Sequence, residues 1–523
     1  MTARDLARSL ADGLSAAGAH KIFGMPGGGP NLDMIGAAAD VGIDFVLAHG
    51  ETAACIMAAS YGRLTGTPGV AVVTRGPGLT SASNGLAQAT LDRFPLVLIS
   101  DTVSRASAER VAHQRLDQVA AAAPLTKWSG TLGTEDPAGV AAAAATLALT
   151  APAGAVHLAF DPATPGDPAP QLPVRPSPTD PGAVARAREL VGRSRRPVVL
   201  IGVDAAWQAA EVREVLRSLD VPVLTTYEAK GTVPEHWSTY AGLFTGAVIE
   251  RALLEQADLI VGIGLDPVEP MPGAWTYDAP VVLVHSYPVE TAYFGTPVLV
   301  TGHYGSLLAD VLADCRPDWP AGTGAETRRH DLERLEWTSD RLTPHDVVRI
   351  TQEALGNALL TVDAGAHMLV AMPLWRTDEP GSVLISNGLA TMGFSLPAAI
   401  AAALARPGRR IACFVGDGGL GMVLAELETL ARLRLAVTVV VFNDATLTLI
   451  KLKQLEGQGG TAAVDYRPID FAGVATAMGV PGVVAEDAGG LKAALAQPGD
   501  GPRLVDARID PSAYPHVIRA IRG

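Results

Sequence analysis

The sequence predicts an α/β fold built from three doubly wound parallel sheets. Short apolar runs recur along the chain, and they are continuous rather than alternating, which is typical of strands covered on both faces. Alanine-rich helical stretches lie between these runs, as the crossover connections of parallel strands require. Two proline-bearing stretches, 162–181 and 317–344, divide the 523 residues into three units of ordinary domain size.

The composition restricts the classes of protein to which the chain can belong. It is 48% hydrophobic and 18% charged, which describes a globular chain with an ample core. A formal charge of −14 argues against nucleic acid and anionic membranes as partners. Three widely spaced cysteines indicate a reducing compartment, and no apolar run reaches about 18 residues. We therefore expect a cytoplasmic protein with no membrane segment and no signal peptide.

The first unit, residues 1–163, begins with an amphipathic helix over residues 1–17 and carries a crossover helix over residues 140–151. Its predicted strands cover residues 19–23, 45–48, 69–74, 96–100 and 155–160. Glycine-rich turns follow the first and third of these strands, and Glu51 opens a helix after the second. Taken alone, a glutamate in the first turn of a helix only complements the helix dipole.

The second and third units repeat this alternation of strands and helices. In the second unit, residues 183–316, we predict strands at 197–202, 221–225, 259–264 and 281–285. In the third unit, residues 344–523, the predicted strands are 359–363, 383–386, 411–416, 437–443 and 503–507. An amphipathic helix is expected after the third of these strands, 411–416, which ends in glycine; the helix begins near Leu420 and reaches Leu430.

Two polar segments of the third unit carry the strongest functional pattern. Gly416-Asp417-Gly418 ends one buried strand, and Asn443-Asp444 ends the next. Because parallel strands end at one edge of a sheet, Asp417 and Asp444 should meet although 27 positions (444 − 417) separate them. Glycine amides can approach an anion, and two carboxylates suit a hard cation that bridges to a diphosphate. The alternative is a nucleotide-type βαβ turn or an ordinary loop.

This pattern resembles the diphosphate-binding motif of the thiamine-diphosphate (ThDP) enzymes. The resemblance implies ThDP and Mg²⁺ as cofactors, with the metal held by Asp417, Asp444 and the backbone carbonyl of Thr446. It names the three units the pyrimidine-binding, central and diphosphate-binding domains. The residues that it assigns to the cofactor in the third domain are Gly365, Ala366, His367, Gly416, Gly418, Gly419, Thr446 and Leu447.

The same resemblance assigns the groups that activate the cofactor. Glu51 matches the carboxyl group that hydrogen-bonds the pyrimidine ring, and Thr74 and Pro77 lie on the pyrimidine side. Met392 matches the side chain that bends the cofactor; read alone, it is an ordinary core residue. The carbonyl of Ala390, where relatives often carry glycine, would accept a hydrogen bond from the cofactor's amino group.

In this family the glutamate and the metal site meet across a dimer interface. Glu51 belongs to the first unit and Asp417 to the third. The resemblance therefore implies a homodimer or homotetramer with its active sites at the interface.

A further segment, His113-Gln114 to Trp128, resembles the acetolactate synthases, above all the flavin-free catabolic type, with benzaldehyde lyase next. It implies decarboxylation of a pyruvate-like 2-oxo acid and carboligation to a second carbonyl, with His113 and Gln114 facing the substrate. An acyloin lyase or ligase and a simple 2-oxo acid decarboxylase are the alternatives. Gly29 stands where these relatives carry a lysine or a histidine. The segment 447–451 replaces an aromatic-bearing loop.

Other classes of protein fit the sequence less well. FAD is not expected, because nothing in the central unit signals it. A dinucleotide oxidoreductase would need G-x-G-x-x-G followed by an acid about 20 residues on, and this pattern is missing. A scaffold protein that had lost its chemistry would have no reason to keep Glu51, Asp417 and Asp444 together.

Overall fold

The computed structural model describes residues 1–104, 107–497 and 499–523, and it contains three six-stranded parallel sheets with helices around them. This confirms the predicted fold class. In the first sheet the strands lie in the order β2-β1-β3-β4-β6-β5. They are β1 (Lys21–Gly24), β2 (Asp44–Leu47), β3 (Gly69–Val73), β4 (Leu96–Asp101), β5 (Trp128–Leu132) and β6 (Ala155–Phe160). The helices are α1 (Ala3–Ala16), α2 (Asn31–Asp40), α3 (Glu51–Thr65), α4 (Pro77–Leu91), α5 (Gln118–Ala122) and α6 (Pro137–Leu149).

The second sheet has the order β12-β11-β10-β7-β8-β9. Its strands are β7 (Pro197–Ile201), β8 (Val223–Thr225), β9 (Tyr240–Leu243), β10 (Leu259–Ile263), β11 (Val281–His285) and β12 (Val298–Thr301). The helices are α7 (Pro181–Arg193), α8 (Val203–Ala206), α9 (Ala209–Leu216), α10 (Arg251–Leu254), α11 (Tyr304–Val311) and α12 (Thr323–Leu335). Helix α12 lies inside the stretch 317–344, which we expected to be a connector, and it packs on β9.

The third sheet has the order β14-β13-β15-β16-β18-β17, so it repeats the topology of the first sheet. Its strands are β13 (Leu359–Val362), β14 (Val383–Ile385), β15 (Ile411–Gly416), β16 (Val437–Asn443), β17 (Gly482–Ala485) and β18 (Arg503–Arg508). The helices are α13 (Pro344–Leu355), α14 (Ala366–Leu374), α15 (Ser395–Ala405), α16 (Asp417–Val423), α17 (Glu426–Leu433), α18 (Thr448–Gln458), α19 (Phe471–Ala477), α20 (Ala488–Ala496) and α21 (Tyr514–Arg522).

The amphipathic helix expected after Gly416 differs from the prediction. The structure forms two short helices, α16 and α17, with a break at Leu424 and Ala425. Helix α16 starts at Asp417 itself, so Gly418, Gly419 and Gly421 lie in helical turns and not in a loop. The segment 447–451 likewise contains the first turn of α18, which begins at Thr448.

Two apolar helices join the first and third domains. Helix α3 packs against α15, and the residues of both helices are buried almost all round, as expected of helices without a polar face. Each Å² of apolar surface that this contact removes from water stabilises it by roughly 25 cal/mol. The first domain is joined to the central domain by Arg93, whose guanidinium donates to the Asp266 carboxylate at 2.8 and 3.1 Å.

The three cysteines, Cys55, Cys315 and Cys413, are buried and unpaired. Burial raises the pKa of the Cys315 thiol to about 11 and that of the Cys413 thiol to about 12, and it raises the pKa of Cys55 further. Within the described residues, no helix has the length and apolar character needed to cross a bilayer.

Candidate active site

The carboxyl edge of the third sheet forms a crevice at the point where the strand order reverses. Strands β13 and β15 are neighbours there, and the connections that follow them run to opposite sides of the sheet. Ligands of doubly wound sheets bind in such crevices. Gly365 follows β13, Asp417 follows β15 and Asp444 follows β16, so three of the predicted segments meet at this edge.

A cavity of about 490 Å³ occupies the crevice. All twelve third-domain residues that the sequence singled out line it: Gly365, Ala366, His367, Ala390, Met392, Gly416, Asp417, Gly418, Gly419, Asp444, Thr446 and Leu447. Residues of the central domain, among them Tyr227 and Met271, close its other side. The structure therefore brings this whole set together, whereas the sequence had connected its members only by pattern.

Asp417 and Asp444 lie close enough for their charges to interact. Burial raises the pKa of the Asp444 carboxyl to about 6, and the Asp417 charge raises it further in the same direction. Asp417 accepts hydrogen bonds from the N–H groups of Gly418 at 2.7 Å and Thr446 at 3.2 Å, and the Thr448 hydroxyl donates to Asp444. Two facing carboxylates repel each other, and a divalent cation between them removes that repulsion.

The donor set fits a small hard cation. Among the described residues, no group of three or more His, Cys, Asp or Glu side chains is placed as metal ligands. A cation at this edge would therefore have two carboxylates and backbone oxygens as protein ligands and would take further oxygens from a phosphate. Mg²⁺ prefers this arrangement, because it retains oxygen ligands from water and phosphate.

The cradle around these acids has room for a diphosphate, and one of its buried polar atoms has no hydrogen-bond partner. The imidazole of His367 is buried, and its Nε2 atom has no hydrogen-bond partner. Burial lowers the pKa of His367 to about 3, so the ring is neutral and Nε2 can bear a proton to donate. A Cβ atom on Gly418 would stand 2.9 Å from Leu447 Cδ2, so the backbone comes close to the cavity only because the residue is glycine.

The segment that carries Met392 is fixed from beneath by Asp363. This buried carboxylate accepts hydrogen bonds from the N–H groups of Gly393 at 3.0 Å, Phe394 at 2.7 Å and Ser395 at 3.2 Å. Burial raises the pKa of the Asp363 carboxyl to about 6. Asp363 was not predicted to have this role, although it is an acid directly after a buried strand, and this position is a signal that could have identified it.

The first domain holds the same segment from the other side. Asp92 accepts hydrogen bonds from the N–H groups of Gly388 at 2.7 Å and Leu389 at 3.1 Å. The side-chain amide of Asn84 donates to the Thr391 hydroxyl at 2.8 Å. Asp92 lies directly after α4, and Asn84 lies on the exposed side of this helix. The sequence did not predict either contact, although Leu91-Asp92-Arg93 is shared with benzaldehyde lyase.

The predicted residues of the first domain lie at its own sheet switch point, between β1 and β3. Gly29 faces Asp101, because a Cβ atom on Gly29 would stand 2.9 Å from Asp101 Oδ2. Thr74 follows β3 and Pro77 opens α4, while the backbone of Gln114 approaches Gly76. The exposed side chains of His113 and Gln114 border this surface.

Asp101 and Gln118 organise that surface and were missed. The side-chain amide of Gln118 donates to the Asp101 carbonyl at 2.7 Å, and its oxygen accepts from the Gly76 N–H at 3.0 Å. Asp101 Oδ1 accepts from the Arg75 N–H at 2.5 Å, and burial raises the pKa of this carboxyl. Gln118 follows the His113-Gln114 motif by only a few positions, which was the available signal.

Glu51 opens α3 and is half-buried. Two residues before it, the His49 N–H donates to Glu426 at 2.9 Å, and the His49 ring pairs with Glu428 at 2.8 Å. Both acids belong to α17. Thr52, the neighbour of Glu51, donates its hydroxyl to the Ser81 carbonyl on α4.

The two sets of residues form two separate surfaces of the chain. None of the described residues Gly29, Glu51, Thr74, Pro77, His113 and Gln114 lines the cavity that contains Asp417 and Asp444. Each surface lies at the switch point of one of the two sheets with equal topology. A single chain therefore presents each half of the candidate site at a different place.

Comparisons with known proteins agree with this architecture. Three family descriptions match in succession: "Thiamine pyrophosphate enzyme, N-terminal TPP binding domain" over residues 4–121, "central domain" over 184–297 and "C-terminal TPP binding domain" over 363–507. Acetolactate synthase of Bacillus subtilis is 30% identical, covering 96% of this chain and 93% of that protein. The catabolic acetolactate synthase of Raoultella terrigena is 30% identical over 95% and 93%, and the isozyme 2 large subunit of Escherichia coli is 28% identical over 95% and 94%.

Proposed function

The chain belongs to the thiamine-pyrophosphate-dependent enzymes, in the group that contains the acetolactate synthases, and from this premise we propose its reaction and its site. It is a ThDP-dependent carboligase or decarboxylase. The reaction we propose is decarboxylation of a pyruvate-like 2-oxo acid, followed by ligation of the remaining fragment to a second carbonyl compound. The observation that carries this proposal is the cavity in which Asp417, Asp444 and the glycine cradle face Met392.

Asp417, Asp444 and the carbonyl of Thr446 would hold Mg²⁺, and the glycine cradle with His367 would hold the diphosphate. When bound, ThDP supplies the nucleophilic carbon and the electron sink that decarboxylation of a 2-oxo acid requires. The neutral His367 ring, whose Nε2 has no partner, would donate a hydrogen bond to a phosphate oxygen. Asp363 and Asp92 keep the backbone of residues 388–393 in place, so that the Ala390 carbonyl and the Met392 side chain face the cofactor.

The residues of the first domain supply the proton-transferring side of the site. Glu51 would hydrogen-bond the pyrimidine ring and keep a proton there, while Thr74 and Pro77 contact the ring. His113 and Gln114 would face the substrate, where an imidazole and an amide can hold a carboxylate or move a proton to the new alkoxide oxygen. Gly29 contributes no side chain, and the Asp101 carboxylate takes up the neighbouring space.

A complete site requires a second copy of the chain. The first-domain residues lie on a surface outside the cavity of their own chain, which supports a homodimer or a dimer of dimers. In such an assembly, the Glu51 surface of one protomer would cover the Asp417 cavity of its partner.

Product identification tests this proposal. The purified protein, incubated with ThDP, Mg²⁺ and pyruvate, should release carbon dioxide and form acetolactate. A panel of other 2-oxo acids, with and without aldehydes, separates the alternatives: an aldehyde product alone identifies a simple decarboxylase, and cleavage of an added acyloin identifies a lyase. The Asp444→Ala variant is the control for contaminating activity. Release of no carbon dioxide from any 2-oxo acid would contradict the proposal.

A further inference from the structure

The cavity extends beyond the cofactor cradle, between the central and third domains. The carboxyl edge of the central sheet contributes Tyr227, which follows β8, and Met271, which follows β10. Helix α18 contributes Lys453, and the last turn of α21 contributes Arg522. None of these residues is needed to hold a diphosphate or a metal, so this arm of the cavity is available to another part of a ligand.

Tyr227 lines this part of the cavity and carries a polar group without a hydrogen-bond partner. The residue is only 5% exposed, and its hydroxyl has no hydrogen-bond partner. A buried hydroxyl without a partner costs roughly 1–3 kcal/mol of desolvation free energy, and a ligand that accepts its hydrogen bond recovers this cost. Burial raises the pKa of Tyr227, so the phenol keeps its proton and acts as a donor.

Arg522 also lines this cavity and adds a positive charge. Its guanidinium is close enough to act electrostatically on Tyr227, and its Nε atom is buried without a hydrogen-bond partner. Within the described ranges of the chain, neither Arg522 nor the exposed Lys453 forms an ion pair. Two cations without ion-pair partners and a phenol without a hydrogen-bond partner therefore line the same cavity.

Two of the acids around this cavity, Glu250 and Glu269, already accept hydrogen bonds. Glu250, whose charge also acts on Tyr227, accepts hydrogen bonds from the Thr245 hydroxyl and the Ala247 N–H, both at 2.9 Å. Glu269 lines the cavity, but it accepts from the N–H groups of Val203 and Asp266, both at 3.0 Å. These acids are fixed by their own hydrogen bonds, and the cations of the arm remain available to an incoming anion.

We propose that Tyr227, Arg522 and Lys453 form a subsite for a carboxylate at the end of a substrate remote from its reacting carbonyl. The preferred substrate would be a 2-oxo acid or an aldehyde that carries a second carboxylate. This inference rests on the proposed function, because it extends the substrate of the same site. Hydrogen bonds to a charged acceptor are the stronger kind, so a phenol with two cations selects an anion over an apolar tail of equal length.

A binding measurement tests the subsite without any turnover. Titration calorimetry of the ThDP- and Mg²⁺-loaded protein compares glutarate with pentanoate, which has the same chain length and one carboxylate fewer. We expect glutarate to bind at least about tenfold more tightly, and Tyr227→Phe and Arg522→Gln to remove most of this difference. Arg519→Gln, an exposed arginine on the same helix that does not line the cavity, should leave the difference intact.

A kinetic measurement identifies which substrate carries the anion. As donors, 2-oxoglutarate is compared with 2-oxopentanoate; as acceptors with pyruvate, succinic semialdehyde is compared with butanal. In the pair that uses the subsite, the substrate with the second carboxylate should have a kcat/KM at least about tenfold higher than its partner, mainly through a lower KM. This ratio should fall in Arg522→Gln and be partly restored in Arg522→Lys. ThDP affinity is measured in every variant.

The outcomes of these experiments distinguish failure of the carboxylate subsite from failure of the proposed function. Equal binding of glutarate and pentanoate, with no preference for dicarboxylates, would overturn the subsite even if acetolactate is formed. A loss of ThDP affinity in Arg522→Gln without any change for glutarate would also overturn it, because the arginine would then serve the cofactor's phosphate. Arg522-dependent binding of glutarate with no turnover of any 2-oxo acid would support the subsite and contradict the proposed function.

Discussion

The buried carboxylate of Asp92, at the end of α4, accepts a hydrogen bond from the Gly388 N–H of the third domain at 2.7 Å. The first domain thereby supports the backbone from which Ala390 and Met392 project into the cavity of the same chain. The interface inside each chain thus fixes the cofactor-bending segment, while the proposed interface between chains supplies the proton-transferring side.

Asp92→Asn should alter the pH dependence of stability. Burial raises the pKa of Asp92 to about 6, above its ordinary value of 3.8. The folded state therefore holds this proton more tightly than the unfolded state, and the free energy of unfolding falls as the pH rises from about 4 to about 6. Asparagine does not titrate. The side-chain oxygen of Gln88 has no partner, so the Gln88 amide can rotate and accept a hydrogen bond from the NH2 group of the asparagine.

Urea unfolding at about pH 5 and about pH 7 checks this expectation. The variant should gain about 1.4 kcal/mol relative to the wild type between the two pH values, because one pKa unit corresponds to about that free energy. The exposed Asp340→Asn should keep a constant difference from the wild type. If the difference in unfolding free energy between Asp92→Asn and the wild type is also the same at both pH values, the raised pKa of Asp92 is contradicted.

Gly419→Ala should damage the cradle, whereas Gly421→Ala on the same helix should not. A Cβ atom on Gly419 would stand 1.9 Å from Oδ2 of Asp363. Three backbone N–H groups hold this carboxylate in place, one through Oδ2 and two through Oδ1. Displacement of this carboxylate should cost about 2–4 kcal/mol of unfolding free energy and weaken ThDP binding. Nothing lies within 4 Å of the corresponding position on Gly421. Equal thermal stability of the two variants would count against the clash.

Ala390→Gly should stabilise the protein. Ala390 has φ +55°, a left-handed conformation that favours glycine. Relief of this strain should raise the free energy of unfolding by about 1 kcal/mol, and turnover should persist because the backbone carbonyl is kept. The exposed helical Ala493→Gly should lose about 1 kcal/mol instead. Destabilisation of both variants in thermal unfolding would contradict the prediction.

Asp444→Ala should remove the metal-dependent part of ThDP binding. Without this carboxylate, the cation keeps only Asp417 as a charged ligand, and it bridges the diphosphate less tightly. Calorimetric titration of ThDP with and without Mg²⁺ should show at least about a tenfold loss of affinity in the presence of the metal only. The Asp340→Ala variant serves as the matched control. An unchanged affinity would exclude Asp444 as a ligand.

Mixed assemblies should show whether Glu51 serves the neighbouring chain. Glu51→Gln should retain ThDP binding and lose turnover, because glutamine cannot share a proton with the pyrimidine ring. Refolded or co-expressed together, Glu51→Gln and Asp444→Ala chains should regain activity, since each mixed dimer contains one intact site. With random pairing, about one quarter of the wild-type activity is expected. Mixtures that stay inactive, despite measured subunit exchange, would place the whole site in one chain.

The strands that the sequence failed to predict share one property. β5, β9, β12 and β17 each lie at the edge of a sheet. An edge strand has a neighbour on one side only and exposes part of its surface, so it does not need a continuous apolar run. β17, for example, has one buried residue in four. Fourteen inner and edge strands with stronger runs were predicted, and this was sufficient for the three-sheet architecture.

The candidate site likewise contains residues that a sequence pattern predicts and residues whose contacts only the folded structure shows. Asp417 and Asp444 could be predicted because strand ends and glycines mark them locally. The contacts of Asp363, Asp92 and Gln118 with backbone groups distant in sequence were not predicted, because their positions mark at most a strand end or a nearby motif and do not indicate the partner. Tyr227 and Arg522 belong to two domains and meet only in three dimensions.

The burial of every native thiol makes this protein a convenient scaffold for site-specific spectroscopy. Maleimides react with thiolates, and the raised pKa values of Cys315 and Cys413 leave almost none at neutral pH. A single cysteine introduced on the exposed face of α20 would therefore take up a fluorophore or spin label alone. Distances between such probes would report the separation of two protomers directly, without removal of any natural residue.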